Sequence, residues 1–377
     1  MDNRNEIIKV LLSVRQHRNV HFNDALLFDV YNAFFEDITN LKPELVICNS
    51  LQNRTSFSLV NDFPVLMFDY HIIEIMESLN NMNSTQKPDL APLFYRLHSE
   101  NMYMKGNFEE SYIYFYFCNE FKKPLQSICD SGDELKLKMQ EIFILHHELF
   151  HCYYFFNNGE LRTDITTTYN DLVDITIHIE HHLSMKPKED ISETIQRYTE
   201  MGMHDFVIEE LQQKGLSEEE RYNEEVKYIK EESYIEENIC DKYAAVKTLE
   251  WGISKLGVSP ELCVSYICSS LVNQFIVSFI YNYYEGNVHP EVHTGFNVRL
   301  YHVYFLVYNY LLENNIQFDE KLYERVFAIE MERSIKLCET ISIFCHEEMD
   351  KRDRYKNSYI TKEEKDDLLK SLKNSEF

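Results

Sequence analysis

The chain has 377 residues, 44 % of them hydrophobic, but only 9 glycines and 8 prolines. So few turn residues argue against a turn-rich all-β fold and for helices joined by short loops, forming one large domain or two ordinary ones. The formal net charge of −26 repels phosphate backbones and anionic lipid headgroups, which argues against nucleic-acid and peripheral membrane binding.

Residues 1–17 read as a short amphipathic helix and 25–41 as a second, with Leu26, Leu27, Val30, Phe34 and Ile38 near helical spacing. Three short β-prone runs follow, "ELVICN" (44–49), "TSFSLVN" (55–61) and "PVLMFD" (64–69), broken by Asn, Asp and Pro. They predict a small antiparallel sheet. "YHIIEIMESLNNM" returns to helix, 84–90 is a polar loop, and 93–123 is helical and very aromatic. Ser131 with Glu134 three residues on is a helix-capping signature. The helix it starts should run to about Phe156, where Asn157, Asn158 and Gly159 stop it.

Another helix is expected over 164–186, then a charged, exposed helical stretch over 187–235. Helices follow at 236–256, ending near Gly257, and at 260–284; "EGNVHPEVHTGF" reads as a loop into helix 297–314, and helix 319–350 comes last. The whole is expected to be one helical domain over 1–350 with a charged tail over 351–377. Residues 262–284 lack any charge and are long enough to span a bilayer. They also carry Ser265, Ser269, Ser270, Asn273, Gln274, Ser278 and Asn282, and no Lys or Arg cluster flanks them. A helix buried within a large helical domain is therefore expected rather than a membrane span. None of the nine cysteines has CxxC spacing, and most sit in apolar runs, where a free thiol acts as a small hydrophobe. With no secretory pattern at "MDNRNEIIKVLLSV", a reducing cytoplasm is the expected home.

The stretch "EIFILHHELFHCYYFF" (141–156) reads as a buried helix, yet it carries three histidines and two glutamates. An unpaired buried polar group costs about 1–3 kcal/mol, so these side chains need partners. Inside it lies an HExxH: His147, Glu148 and His151. Residues four apart share a helix face, so both imidazoles can reach one Zn²⁺. Glu148 beside them can take a proton from water at the open coordination position. A catalytic zinc of this type wants a third protein ligand. "EENICDKYAA" (236–245) offers Glu237, with Asp241 one turn on to receive the free ring N–H of a ligand histidine; Glu236 competes for the register. Ala244 and Ala245 would let this helix pack close against the HExxH helix. His146 points about 100° away from His147 and reads as a core residue. His178, His181 and His182 read as a partly exposed helix face.

HExxH followed by ExxxDxxA resembles the gluzincin metallopeptidases. The gap of about 85 residues is similar to the HtpX-type and phage-exclusion (Lit-like) branches. The resemblance covers the motif blocks in 55–75, 140–156, 236–246 and 289–300. It implies a helical zincin-like fold, a zinc ion on His147, His151 and Glu237, and hydrolysis of a peptide bond in an intracellular protein, with bacterial defence as an analogy. Those branches carry a His-Pro element with an Arg six residues after the histidine. Here His289-Pro290 has the dipeptide but Arg299 lies ten on, while His293 has the offset but is followed by Thr294. Either histidine is a candidate to stabilise the oxyanion. In such peptidases a small sheet lies above the metal and its edge strand pairs with extended substrate, a role open to "TSFSLVNDFPVLMFD". The rival readings are a membrane-associated quality-control peptidase and a non-catalytic helical interaction or sensor protein that retains the zinc site.

Overall fold

Two strands carry runs that are apolar on both faces, and that decides where they sit. In β2 (Glu44–Ser50) Leu45, Val46, Ile47 and Cys48 are all buried; in β4 (Phe63–Asp69) so are Val65, Leu66, Met67 and Phe68. Strands covered on both faces belong at the centre of a sheet, and such continuous apolar runs are typical of parallel neighbours. The structure, a computed structural model, describes residues 17–20, 24–35, 42–50, 55–60, 63–81, 90–108, 110–111, 113–115, 131–157, 162–184, 196, 229–285, 290–334 and 336–337. Its sheet has the order β1-β2-β4-β3, with β1 at His17–Val20 and β3 at Ser56–Val60. β2 and β4 pair in parallel, from Glu44 opposite Val65 to Cys48 opposite Asp69, while β1–β2 and β3–β4 are antiparallel.

The antiparallel three-strand sheet expected from sequence is thus a mixed sheet of four. The alternating, half-exposed "SFSLV" run is an edge strand, and the continuous runs "LVIC" and "VLMF" lie side by side. Residue 17, expected at the end of a helix, begins β1; residues 1–16 lie outside the described residues.

The helices are α1 (Ala25–Phe34), α2 (His71–Asn81), α3 (Leu90–Met104), α4 (Ser131–Asn157), α5 (Arg162–Ser184), α6 (Glu232–Leu256), α7 (Pro260–Glu285) and α8 (Pro290–Glu313), followed by a helical stretch over 320–334. The protein is mainly helical, as its composition implied. One continuous apolar core runs from Leu27 in α1 to Leu337 and takes in β2, β4 and α1–α4 with α6–α8. The tail expected over 351–377 and most of the charged stretch 187–235 lie outside the described residues.

α4 is the axis of this core. α1 packs on it through the edge-to-face rings of Phe34 and Phe150, 5.0 Å apart. α6 packs against it through small residues: Ala244 and Ala245 are fully buried. At Gly252 a Cβ would lie 2.7 Å from Met139 Cε of α4 and 2.7 Å from Cys263 Sγ of α7. Gly257 ends α6 in the left-handed region, φ 67°, where glycine carries no Cβ penalty.

α7 contains the apolar stretch singled out in the sequence. The segment Pro260–Ile280 is long and apolar enough to cross a membrane, and 78 % of its most apolar window is buried inside the protein. Two of its polar side chains, Ser269 and Asn273, have partners there. Ser269 Oγ accepts from Gln140 Nε2 at 3.1 Å and from Arg333 Nη1 at 2.7 Å. Asn273 donates to Asn80 Oδ1 at 3.0 Å and accepts from Arg333. Most buried polar side chains are hydrogen-bonded, and lipid would offer Ser269 and Asn273 no such partners. Cys152, Cys240, Cys263 and Cys268 are free thiols and buried, and Cys48 is buried as well.

Candidate metal centre

The helix carrying HExxH begins at Ser131 and ends at Asn157, close to the expected 132–156. It is buried along most of its length, so His146 and His147 are both enclosed. A turn of 100° per residue sends them to different places. His146 Nδ1 meets Thr248 Oγ1 of α6 at 3.0 Å, and burial pushes its pKa down to about 3. It is a neutral core histidine, as expected. His147 and His151 share the face that meets the first turns of α6.

There the two Nε2 atoms lie 3.0 Å apart. Glu237 reaches between them, with one carboxylate oxygen 3.4 Å from His147 Nε2 and the other 3.2 Å from His151 Nε2. A tetrahedral zinc with bonds of about 2.0–2.1 Å sets its donor atoms about 3.3–3.4 Å apart. The observed separations are near that length, with a different Glu237 oxygen facing each ring; taken as one donor atom per residue, the three lie within 4.8 Å of one another. Among the described residues, His147, His151 and Glu237 are a group able to hold a metal ion.

The far side of each ring is also engaged. His147 Nδ1 lies 2.9 Å from Asp241 Oδ1, too obliquely for an aligned hydrogen bond, so the contact is ionic in character. His151 Nδ1 donates to Glu236 Oε1 at 3.0 Å. Carboxylates behind both Nδ1 atoms favour a proton there, which would leave each Nε2 free to bind a metal ion, the backing that metal-bound histidines usually have. Arg299 of α8 closes the group: Nε donates to Asp241 Oδ2 at 2.7 Å, and Nη2 lies 3.3 Å from Glu237 Oε2.

The electrostatics follow from this crowding. Burial alone would lower the pKa of His147, but Asp241 and Glu237 beside it outweigh burial and raise it to about 9. His151 is likewise raised, burial being overcome by Cys240, Glu236 and Glu237. Glu237 is held well below the carboxylate range: burial opposes ionisation, and the two histidines with Arg299 override it. Asp241, fully buried, is lowered against burial by Arg299 and His147. Three carboxylates against one guanidinium leave two negative charges, which two protons or one divalent cation neutralise. Exposure rises from the His147 side chain at 7 % through His151 at 19 % to Glu237 at 40 %, so the group opens to the surface on the Glu237 side.

Comparison with protein-family models, with curated proteins and with solved structures gave no match. The donor geometry itself therefore carries the assignment of this site.

The structure brings His147, His151, Glu237, Asp241 and Arg299 together in one cluster. Glu148, one residue past His147, is only partly buried. "HPEVHTGF", expected as a loop, is different. α8 starts at Pro290, so His293 lies in its first turn and Arg299 six residues further along the same helix. Proline is well suited to open a helix, since its missing N–H is not needed there. His289 lies outside the described residues, as does the side chain of His293. His178 of α5 is exposed and meets Phe305 edge-to-face, 5.8 Å between centroids.

One residue was underread in the sequence. Glu236 is not a rival of Glu237 for the metal position but the partner of His151 Nδ1. The signal was the acidic doublet at 236–237: adjacent residues on a helix point about 100° apart, so the pair can serve two histidines. Beside the site, β3 lies at the sheet edge and packs on the end of α4, with Phe57 5.6 Å from the rings of both Phe155 and Phe156.

Proposed function

We propose that this protein is a zinc-dependent endopeptidase of gluzincin type with a zincin-like arrangement of α4 and α6, acting on an intracellular protein. The observation that carries the reading is the convergence of His147 Nε2, His151 Nε2 and the Glu237 carboxylate at 3.0–3.4 Å, with a carboxylate behind each ring. These three residues would hold the ion. Zinc supplies a Lewis acid that acidifies water toward neutral pH and polarises a carbonyl. The donor set of two histidines and one carboxylate also suits ferrous iron, so elemental analysis names the metal.

The chain's own groups divide the remaining work. Glu148 takes a proton from the water whose oxygen attacks the scissile carbonyl carbon. As the C–N bond breaks, Glu148 returns that proton to the leaving amine. Arg299 and Asp241 hold Glu237 and His147 in place, so that neither moves as charge develops. His293 or His289 is the proposed donor to the oxyanion. The edge strand β3, close to the end of the HExxH helix, would take extended substrate by backbone pairing, which tolerates many sequences. Likeness to the phage-exclusion branch makes a bacterial defence role part of the proposal. The burial of α7 favours a protein without a membrane span over a membrane-associated quality-control peptidase.

The test is metal content together with cleavage. Wild type purified without added metal should carry about one zinc per chain and cleave a generic unfolded protein. Glu237→Ala should lose the metal, and Glu148→Gln should keep it while losing turnover. Zinc retained in Glu237→Ala would refute the ligand set. A zinc-loaded wild type that cleaves nothing, across a broad set of unfolded proteins, would favour a sensor that keeps the site without catalysis.

A further inference from the structure

A second cluster of ionisable groups lies apart from the metal centre, at the carboxyl ends of the parallel strands β2 and β4. His71 opens α2 two residues after β4 ends at Asp69, and it is fully buried. Its Nε2 lies 2.8 Å from Glu100 Oε2 of α3, and its Nδ1 lies 3.3 Å from Glu74 Oε2, one turn along α2. Arg96 of α3 completes the group. Its Nε donates to Glu100 Oε1 at 3.1 Å. Its Nη2 donates to Glu74 Oε2 at 2.8 Å and lies 3.2 Å from His71 Nδ1. Asn49, near the end of β2, donates to the other oxygen of Glu74 at 2.7 Å. Two ion pairs therefore cross from α2 to α3, His71 with Glu100 and Glu74 with Arg96.

Each ring nitrogen faces a carboxylate oxygen, which only accepts. An imidazolium has an N–H for both. A neutral imidazole has one, yet it is not stranded: with that N–H toward Glu100, its bare Nδ1 accepts from Arg96 Nη2. The fold offers partners to both forms, and charge is what separates them. Glu74 and Glu100 set two negative charges against one positive charge on Arg96, so the group balances when the ring carries a proton. Burial opposes a charged ring, but Glu100 and Glu74 outweigh it and raise the pKa of His71 above its ordinary value. The ionisable neighbours at the end of β4 and in the turn into α2 are otherwise engaged. Asp69 Oδ1 accepts the backbone N–H of His71 at 3.2 Å, and the Tyr70 hydroxyl donates to Glu141 of α4 at 3.0 Å.

We propose that His71 is a proton-controlled tie between the start of α2 and α3. Protonated, it bonds Glu74 and Glu100 at once and holds α3 firmly. Without the proton the group keeps a net negative charge away from water, and α3 is held more loosely. The stability that the tie supplies is complete below about pH 6.5 and is lost as pH rises through the folded-state value. The cluster shares no residue with the metal centre, so the tie acts with or without a bound ion.

Two measurements on the wild-type protein test this, and Glu74→Gln sharpens them. Nitrogen NMR of ring-labelled histidines follows the titration of His71. Hydrogen exchange, corrected for the chemical rate at each pH, follows peptides from α3 against peptides from α4. His71 should titrate above 6.5, and between pH 6.5 and 9 α3 should lose about three- to tenfold more protection than α4. That is the worth of one charge-assisted hydrogen bond, reduced because Glu74 is 39 % exposed. Glu74→Gln keeps the shape and removes one negative charge, so His71 should titrate lower and the extra loss in α3 should largely vanish. His147 is present in both proteins and cancels in the comparison. A wild-type His71 that titrates at or below 6.5, α3 protection that tracks α4 at every pH, or the same His71 titration in both proteins would overturn the tie. The wild-type curves decide the matter even where the variant fails to fold.

Discussion

Asp241→Asn separates two things that the wild-type carboxylate does at once. Asp241 is fully buried, 2.9 Å from His147 Nδ1 and 2.7 Å from Arg299 Nε. It would orient the ring for a metal ion held as proposed, and it also helps raise His147 to about 9. At pH 7 only about one His147 in a hundred is then neutral, and zinc must displace its proton. Proton competition at that one ring weakens apparent zinc affinity about 100-fold at neutral pH, or roughly 2.7 kcal/mol. His151, raised as well, adds a second proton, so wild-type affinity should climb steeply with pH and up to two protons should leave per zinc bound. The asparagine keeps the shape and removes the charge. His147 falls back toward its ordinary value near 6.5, and about one proton fewer is released. Lost orientation costs about 10–100-fold. The two effects oppose each other at pH 7 and leave a small net change; near pH 9.5 only the loss remains, and wild type should bind 10–100-fold tighter. Chelator-buffered zinc titrations from pH 6.5 to 9.5, with calorimetry in two buffers to count protons, read this out. Parallel pH profiles with equal proton release would refute the reasoning, because Asp241 would then not be setting the state of His147.

The metal-free protein carries a related pH signature. A folded-state His147 pKa of about 9 against about 6.5 unfolded contributes stability that is complete below pH 6.5 and lost as pH rises to about 9, in total about 3 kcal/mol. Urea melts in chelator at pH 6.5 and 9 should differ in that direction, and zinc should reverse the difference. Glu236→Gln should loosen His151 and weaken zinc by about tenfold, the low end for such backing groups because Glu236 is partly exposed; unchanged affinity would mean that His151 needs no anchor. Gly252→Val should destabilise the fold by about 1–3 kcal/mol, since Met139 and Cys263 already lie against that position, and a denaturant midpoint equal to wild type would show that α6 can shift away without cost.

Much of this protein was determined by local pattern. Helical periodicity and the scarcity of glycine and proline were sufficient for a mainly helical chain. The i, i+4 spacing put His147 with His151 on one face of α4, and Glu237 with Asp241 on one face of α6, before any tertiary contact was considered, because a helix has one geometry wherever it lies. Three matters depended on packing. β2 and β4 became parallel neighbours because burial on both faces, a property of the assembled core, outweighs the short connections that suggest a meander. α8 began at Pro290 and not near residue 297, its first turns including Phe296, which stacks on Phe275 of α7. Glu236 became the anchor of His151 because the roll of α6 against α4, set where Ala244, Ala245 and Gly252 let the helices close, aims one glutamate at the space between the rings and its neighbour at the far side of one of them. Spacing along a helix names the groups that can meet; only the approach of a second helix decides which atoms do.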